Sequence, residues 1–310
     1  MARTERCTAG LNGSMATSGL ITEVAEGKVY ALRSLLTLDG RVSAYPGHAR
    51  GYSVSNSYLL REPDGAAILD TGYAANESQV IAQIGSLISK DTPLTIFPLR
   101  INEFMSVGNA MAICKHFNVV EAFSPTPDPI KIWINFASID PAAGEPAYLN
   151  FKSTRITGLI RHDIGRRGKR FIEMFQTPIR LINTTWIWDE ETKTLFTSDS
   201  FTQVSCDNPT GPWIIDAYDP SDERLSAAFM QSFLLNTRYW WIEGARTETL
   251  RRGVEAVFKR YPIETIAPGY GAILRGRALV EQQFGVLDDI LRRMDRTRAK
   301  AYYVSRDLVR

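Results

Sequence analysis

The sequence predicts an α/β fold organised as one domain, and three observations carry that reading. Strand-like and helix-like apolar patterns alternate from Gly27 to Phe123, the middle adds further strand-like runs, and the last third is mostly helical. No internal repeat and no Gly/Ser-rich linker interrupts the order.

The elements follow in turn. Gly27-Lys28-Val29-Tyr30-Ala31-Leu32 is a short alternating run suited to an opening strand. Tyr52 to Leu60 alternates again and meets a second apolar run, Ala66 to Asp70, across Glu62-Pro63-Asp64-Gly65. Pro at the first central position and Gly at the last make that a tight turn. Asn76 is placed to cap a helix bearing Val80, Ile81, Ile84, Leu87 and Ile88 at helical spacing. Leu94 to Leu99 reads as a buried strand, Gly108 and Asn109 open a helix through Met111, Ile113 and His116, and Val119 to Phe123 is the next strand. Strand-like runs at Ile130–Phe136 and Phe171–Phe175 flank a basic stretch, Arg161 to Arg170. A hairpin then joins Thr185–Trp188 to Thr194–Asp199 through Asp189-Glu190-Glu191. Ser221–Leu235 and Glu248–Arg260 carry apolar stripes, Ile263–Ile266 reads as a short strand, and Leu279–Met294 is a last amphipathic helix. Residues 1–20 read as a disordered leader with Met15 as an alternative start, 21–295 as the domain, and 296–310 as a basic tail.

Composition excludes several classes. A hydrophobic share of 44% and a charged share of 23% in 310 residues are those of an ordinary globular protein with a sizeable core. A net charge of +2 gives no reason to expect nucleic-acid or membrane partners. The three cysteines, Cys7, Cys114 and Cys206, fit no zinc or redox spacing and suit a reducing compartment, and no apolar run near the start reads as a signal peptide, so a cytoplasmic location is expected. Only three histidines occur, at His48, His116 and His162. His162 among arginines reads as solvated surface, His116 as structural, and His48 as a remote candidate for a base.

Three segments in a fixed order carry a resemblance. They are Asn56-Ser57-Tyr58-Leu59-Leu60 with Ile68-Leu69-Asp70-Thr71-Gly72, then Leu195-Phe196-Thr197-Ser198-Asp199-Ser200-Phe201, then Ile266-Ala267-Pro268-Gly269-Tyr270-Gly271. Over roughly residues 50 to 275 the chain resembles the metallo-β-lactamase superfamily, and within it the flavodiiron, oxygen-binding diiron branch. The resemblance implies an αββα sandwich, two mixed sheets flanked by helices. It also implies a metal motif, His-x-Glu-x-Asp-His-x-Gly, whose counterpart here is Ile101-Asn102-Glu103-Phe104-Met105-Ser106-Val107-Gly108. Only the Glu and the Gly are kept. A further family histidine falls near Arg180, the bridging Asp corresponds to Asp199, and the last histidine corresponds to Tyr270. The implied ligand set thus reduces to Glu103 and Asp199.

Two carboxylates are too few for zinc or iron, which take about four ligands, usually with imidazole among them. A guanidinium, by contrast, brings positive charge in a fork that suits carboxylates. The expectation is a metal-free ionic cluster of Glu103 and Asp199 with Arg180 and Arg100. Glu103, Asp199, Arg180 and Tyr270 are the candidate catalytic residues; the alternative for the two carboxylates is a relic ion pair, and for Tyr270 a filler of the vacated space. Asp70 reads as structural. Phe104, Met105, Trp186 and Trp188 are expected around the pocket mouth, as core or as an apolar slot for an aromatic ring.

The lost histidines argue against the superfamily's glyoxalase, lactonase, β-lactamase and flavodiiron chemistries. What the resemblance still implies is a subunit of a heteromeric hydrolase, similar in character to the beta-type subunit of the nitroaryl methyl ether hydrolases that convert 2,4-dinitroanisole to 2,4-dinitrophenol and methanol. The alternative is a non-catalytic paralogue that stabilises a metal-bearing sister subunit. The expected partners are a small aromatic substrate and that sister chain. No intrinsic cofactor is expected, and a divalent metal only where a partner supplies most of its ligands.

Overall fold

The computed structural model describes residues 20–101, 103–127, 130–134, 146–165, 167–179 and 183–296. Most of the leader, the tail beyond residue 296, Phe136 and Arg180 therefore lie outside the described residues.

Two seven-stranded mixed sheets pack face to face, with helices on both outer faces. The first sheet runs in chain order: β1 (Ile21–Ala25), β2 (Val29–Thr37), β3 (Tyr52–Glu62), β4 (Gly65–Leu69), β5 (Leu94–Phe97), β6 (Val119–Ser124) and β7 (Lys152–Arg155). Its first four strands pair antiparallel in chain order, β2 and β3 being joined by the long loop 38–51, and the Pro63–Asp64 turn joins β3 to β4 as the sequence predicts. From β4 onward the pairs are parallel. Parallel neighbours need crossovers, and these are supplied by α1 (Glu77–Leu87), by α2 (Phe104–Val107) with α3 (Ala110–His116), and by α4 (Ile130–Ile134). The second sheet contains β8 (Ile160–Asp163), β9 (Phe171–Gln176), β10 (Thr185–Asp189), β11 (Thr194–Ser198), β12 (Ile214–Ile215), β13 (Thr265–Pro268) and β14 (Ile273–Arg275), in the spatial order β12-β14-β13-β11-β10-β9-β8. Helices α5 (Ala227–Leu235), α6 (Thr247–Arg260) and α7 (Arg277–Met294) belong to its outer layer.

Strand alternation decides which side chain enters which layer. In the β3–β4 hairpin Leu59 pairs with Ile68, and both pack outward against Val80, Ile84 and Ile113 of the helices. Their neighbours Tyr58, Leu60, Ala67 and Leu69 point inward, against Ile172, Met174, Ile187 and Phe196 of the second sheet. Both faces are buried, so these strands read as near-continuous apolar runs. Each large apolar side chain contributes about 2 kcal/mol on burial. A one-residue slip would exchange the two sets and misplace all of them at once. On the far side, Leu279, Val280, Phe284, Leu287 and Leu291 give α7 a buried stripe over Trp186, Leu195, Ile266 and Leu274.

Several sequence expectations need correction. Ile130–Ile134 is a helix rather than a strand: Ile130 and Ile134, four apart, are buried while Ile132 is half exposed. The pattern Ile-Lys-Ile-Trp-Ile satisfies both a period of two and a spacing of four, so periodicity alone did not decide. The helix placed over Ser221–Leu235 begins at Ala227, where the Ser226 hydroxyl accepts from the Phe229 amide at 3.2 Å. Asn76 occupies the first cap position of α1 without a side-chain cap bond. The strand expected at Ile263–Ile266 runs from Thr265 to Pro268. The basic stretch is not simply solvated either. His162 lies edge-on to Phe97 and Phe123, both at 5.2 Å, and burial lowers its pKa. Arg170 is buried on Asp189 and Glu62. The described part of the loop after β8 passes at the turn end of the β3–β4 hairpin, where Arg167 pairs with Asp64.

Candidate functional site

The site forms where the carboxyl ends of β4, β5, β11 and β13 come together, the end of an α/β sheet where loops can converge. After β4, Asp70 turns the chain at φ 56° and its Oδ1 accepts the Leu99 amide at 2.7 Å. The following turn is laced to α2 and α3: the Gly72 amide donates to Met105 O at 2.7 Å, and Asn109 Nδ2 donates to Thr71 O and Tyr73 O at 2.9 and 3.0 Å. Gly108 permits this approach, since a Cβ there would stand 2.6 Å from Gly72 O. After β13, the Pro268–Gly271 loop is clamped from β3, where Asn56 Nδ2 donates to Pro268 O and Gly271 O at 3.0 Å and Tyr58 Oη donates to Pro268 O at 2.6 Å. Gly271 adopts φ +75°, and a Cβ there would meet Val204 O at 2.5 Å.

Four charged side chains meet in this frame. Arg100 follows β5, Glu103 precedes α2, Asp199 follows β11, and Arg238 follows α5. Arg100 Nη2 pairs with Glu103 Oε1 and Arg100 Nη1 with Asp199 Oδ2. Arg238 Nη2 reaches Glu103 Oε2 at 3.0 Å and Arg238 Nη1 reaches Asp199 Oδ1 at 2.9 Å. Each guanidinium thus bridges both carboxylates, and every carboxylate oxygen faces one guanidinium nitrogen. The set is neutral. Arg100 and Asp199 are buried, whereas the Glu103 side chain retains 26% of its surface.

Around this cage stands a ring of hydroxyls. Tyr270, fully buried, shares a 2.7 Å hydrogen bond with the Tyr73 hydroxyl, and burial holds its phenol well above the usual range. Its ring lies 5.9 Å from the Arg238 guanidinium and edge-on to Tyr45. Ser43 Oγ accepts from Arg238 Nη2 at 3.0 Å, and Tyr239 and Ser200 share a hydrogen bond at 3.0 Å. Asp70 stands behind the cage. Burial pushes its carboxyl up to about 7, against the pull of the Ser106 hydroxyl, the Leu99 amide and Arg100.

Among the described residues, the voids beside Asp199 are small. Two voids border Asp199 and the helix α5 side, each of about 10 Å³, the space of a single water rather than of an aromatic ring.

The structure brings Glu103, Asp199 and Arg100 together and sets Tyr270 beside them, while Arg180 falls outside the described residues. The partner missed by sequence reasoning is Arg238. Nothing in Asn236-Thr237-Arg238-Tyr239 marks it, because its role comes from α5 returning the chain to the site and not from any local pattern. Trp186 and Trp188 are not at the mouth; they lie in the outer core with Tyr261, α6 and α7. Met105 packs with Tyr45, Phe233 and Tyr270, and Phe104 is 67% exposed. His48 is exposed on its loop, and His116 is tied to Ala112 O at 2.8 Å within α3.

No known family's sequence profile and no curated protein sequence matches the chain. Solved structures do match. Rubredoxin:oxygen oxidoreductase from the anaerobe Desulfovibrio gigas superposes with a TM-score of 0.65 at 15% identity, over 88% of this chain and 61% of that one. The flavodiiron protein from Giardia intestinalis gives 0.62 at 16% identity, over 87% and 59%. A metallo-beta-lactamase from Pontibacter korlensis gives 0.50 at 15% identity, over 87% and 98%. The chain spans about three fifths of the length of the two flavodiiron-type proteins. The chain has the metallo-β-lactamase-like αββα fold, and at these identities the likeness shows the fold alone.

That fold implies a metal centre, and the donor set here does not fit one. Among the described residues no three His, Cys, Asp or Glu side chains converge on a point. Both site carboxylates are already matched, oxygen by oxygen, to guanidiniums. A cation placed between them would meet two fixed positive charges.

Proposed function

We propose that this chain is one subunit of a heteromeric hydrolase, and that it supports a metal centre held by a paralogous sister subunit instead of building its own. The observation that carries the reading is the neutral cage of Arg100, Arg238, Glu103 and Asp199, which holds the loops of the site in place by the charges that a metal would otherwise supply. Voids of about 10 Å³ beside it favour a supporting role over turnover within the lone chain.

The reaction proposed for the complex is the one the sequence resemblance implies, hydrolysis of a nitroaryl methyl ether as in a 2,4-dinitroanisole O-demethylase. Water or hydroxide adds to the ring carbon bearing methoxy, the ring nitro groups take up the negative charge, and the C–O bond to methoxy breaks. Methanol leaves with the proton and 2,4-dinitrophenol remains. No redox partner is needed.

A second reading keeps the chemistry in this chain. Glu103 is the more open carboxylate and would activate water, while Asp199 and Tyr270 hold the guanidiniums that stabilise the ring anion, with Arg180 as a further cation. The partial exposure of Glu103 favours it; the small voids beside Asp199, among the described residues, oppose it.

One co-expression experiment separates the two. The chain is purified alone and with the product of its genomic neighbour, and both preparations are assayed for bound metal and for methanol released from nitroanisoles. Activity and metal in the complex alone support the first reading. Activity of the lone chain selects the second. Inactivity of both removes the ether-hydrolase assignment.

A further inference from the structure

We propose that the mouth of the cage is a binding site for a planar organic oxyanion, a carboxylate or phenolate, and that the Glu103 carboxylate occupies this site from within the chain. The two guanidiniums converge on two acceptors of unequal standing. Asp199 is the buried one, on a tight turn after β11 in which the Thr202 hydroxyl donates to its backbone oxygen at 3.2 Å. Glu103 is more open and sits on extended backbone, φ −103° and ψ 132°, ahead of a helix of only four residues. It can leave at lower cost. With Glu103 withdrawn, two guanidiniums face one carboxylate, a net charge of +1. Arg100 Nη2 and Arg238 Nη2 would then point at the space the carboxylate had filled. Paired N–H donors in that geometry are matched by a planar oxyanion.

The surroundings suit an organic anion better than an inorganic one. Arg238 Nη2 also donates to the Ser43 hydroxyl, and the Tyr73 phenol lies within the field of Glu103, Arg100 and Arg238. Phe104 adjoins Glu103 in the chain and Trp240 lies two residues beyond Arg238; each is 67% exposed. A ring of either residue that reached the cage mouth would favour an anion with an aromatic face, which the benzoate and acetate arms of the titration read out. The neighbouring voids admit only water, so a ligand must exchange with the Glu103 carboxylate and cannot join it.

The test uses the full chain without a partner, so its failure leaves the partnered-hydrolase reading standing. Wild type and Glu103→Ala are titrated calorimetrically with sodium acetate, sodium benzoate and sodium 2,4-dinitrophenolate, with sodium chloride at equal ionic strength as reference. Glu103→Ala is expected to bind benzoate at one site, about tenfold or more tighter than wild type, the scale of one charge-assisted pair. Tighter binding of benzoate than acetate reports the ring, and dinitrophenolate compared with benzoate tells phenolate from carboxylate. Arg238→Ala added to Glu103→Ala should abolish the gain. Absence of binding to Glu103→Ala, or binding indifferent to Arg238, overturns the proposal. Should Glu103→Ala fail to fold, Glu103→Gln keeps the shape without the charge; benzoate must then raise its Tm above the chloride reference, and no rise overturns the proposal equally.

Discussion

The molecule contains two buried arginine networks at opposite ends of the β3–β4 hairpin, and they are built differently. At the turn end, Arg170 Nη2 pairs with Asp189 at 2.5 Å, and Arg170 Nη1 with Glu62 at 3.1 Å. The same Nη1 donates to the backbone oxygens of Lys28 and Arg61, and the Thr192 hydroxyl donates to Asp189 at 2.7 Å. Backbone of the β1–β2 turn and of β3 finishes that network and joins the first sheet to the second. At the other end, Arg100 and Arg238 meet Glu103 and Asp199 side chain to side chain, on three loop segments, with one carboxylate part-open. A network that serves only stability draws on the regular backbone and hides its charges. The one at the carboxyl ends of β5 and β11 is assembled from loops and keeps an opening. Fold and site are thus fastened by the same residue types under different rules.

Breaking the comparison at its strongest point should give the largest effect. Arg170→Ala leaves Asp189 buried without its cation and should cost about 3–5 kcal/mol in urea unfolding. A cost under about 1 kcal/mol would show that the turn-end network is not a fastening.

Asp70 sharpens the contrast through pH. Its folded carboxyl is raised from 3.8 to about 7, so the folded state holds its proton more tightly than the unfolded chain. Its contribution is fully present below the unfolded value and is lost as pH rises to about 7. Asp70→Asn retains an acceptor for the Leu99 amide and carries no charge. Its stability relative to wild type should therefore climb between pH 4 and 8, by on the order of 4 kcal/mol at most. A flat difference across that range would contradict the raised carboxyl.

Arg100→Ala should cost less than Arg170→Ala, about 2 kcal/mol, because Arg238 still faces both carboxylates. Equal losses in the two variants would erase the distinction drawn between the networks. The smallest expected effect is that of metal: zinc or ferrous iron added to the purified chain should leave Tm unmoved, since a ligand stabilises only what it binds. A concentration-dependent rise would refute the cage as a metal substitute.

Much of the fold was legible in the sequence because local rules govern it. The Pro63–Gly65 turn, the helical spacing of Val80, Ile84 and Leu87, and the β10–β11 hairpin each follow from a few neighbouring residues. The Ile130–Ile134 segment escaped because two periods fit it equally well. Arg170 escaped because a run of basic residues gives no sign that one member turns inward onto Asp189. At the site, Glu103 and Asp199 could be named from the family resemblance, with Arg100 set beside Arg180 as their cation. Arg238 could not, being 39 residues from Asp199 and 135 from Glu103, brought there only by the folded course of α5.

That long reach has a kinetic consequence. Contacts between segments so far apart in the chain form only after both sheets and α5 are in place, because loop closure must precede them. The cage should therefore be largely absent from the folding transition state. Its loss would leave the rate of folding nearly unchanged and would quicken unfolding, so that its hold on the native chain is measured in lifetime.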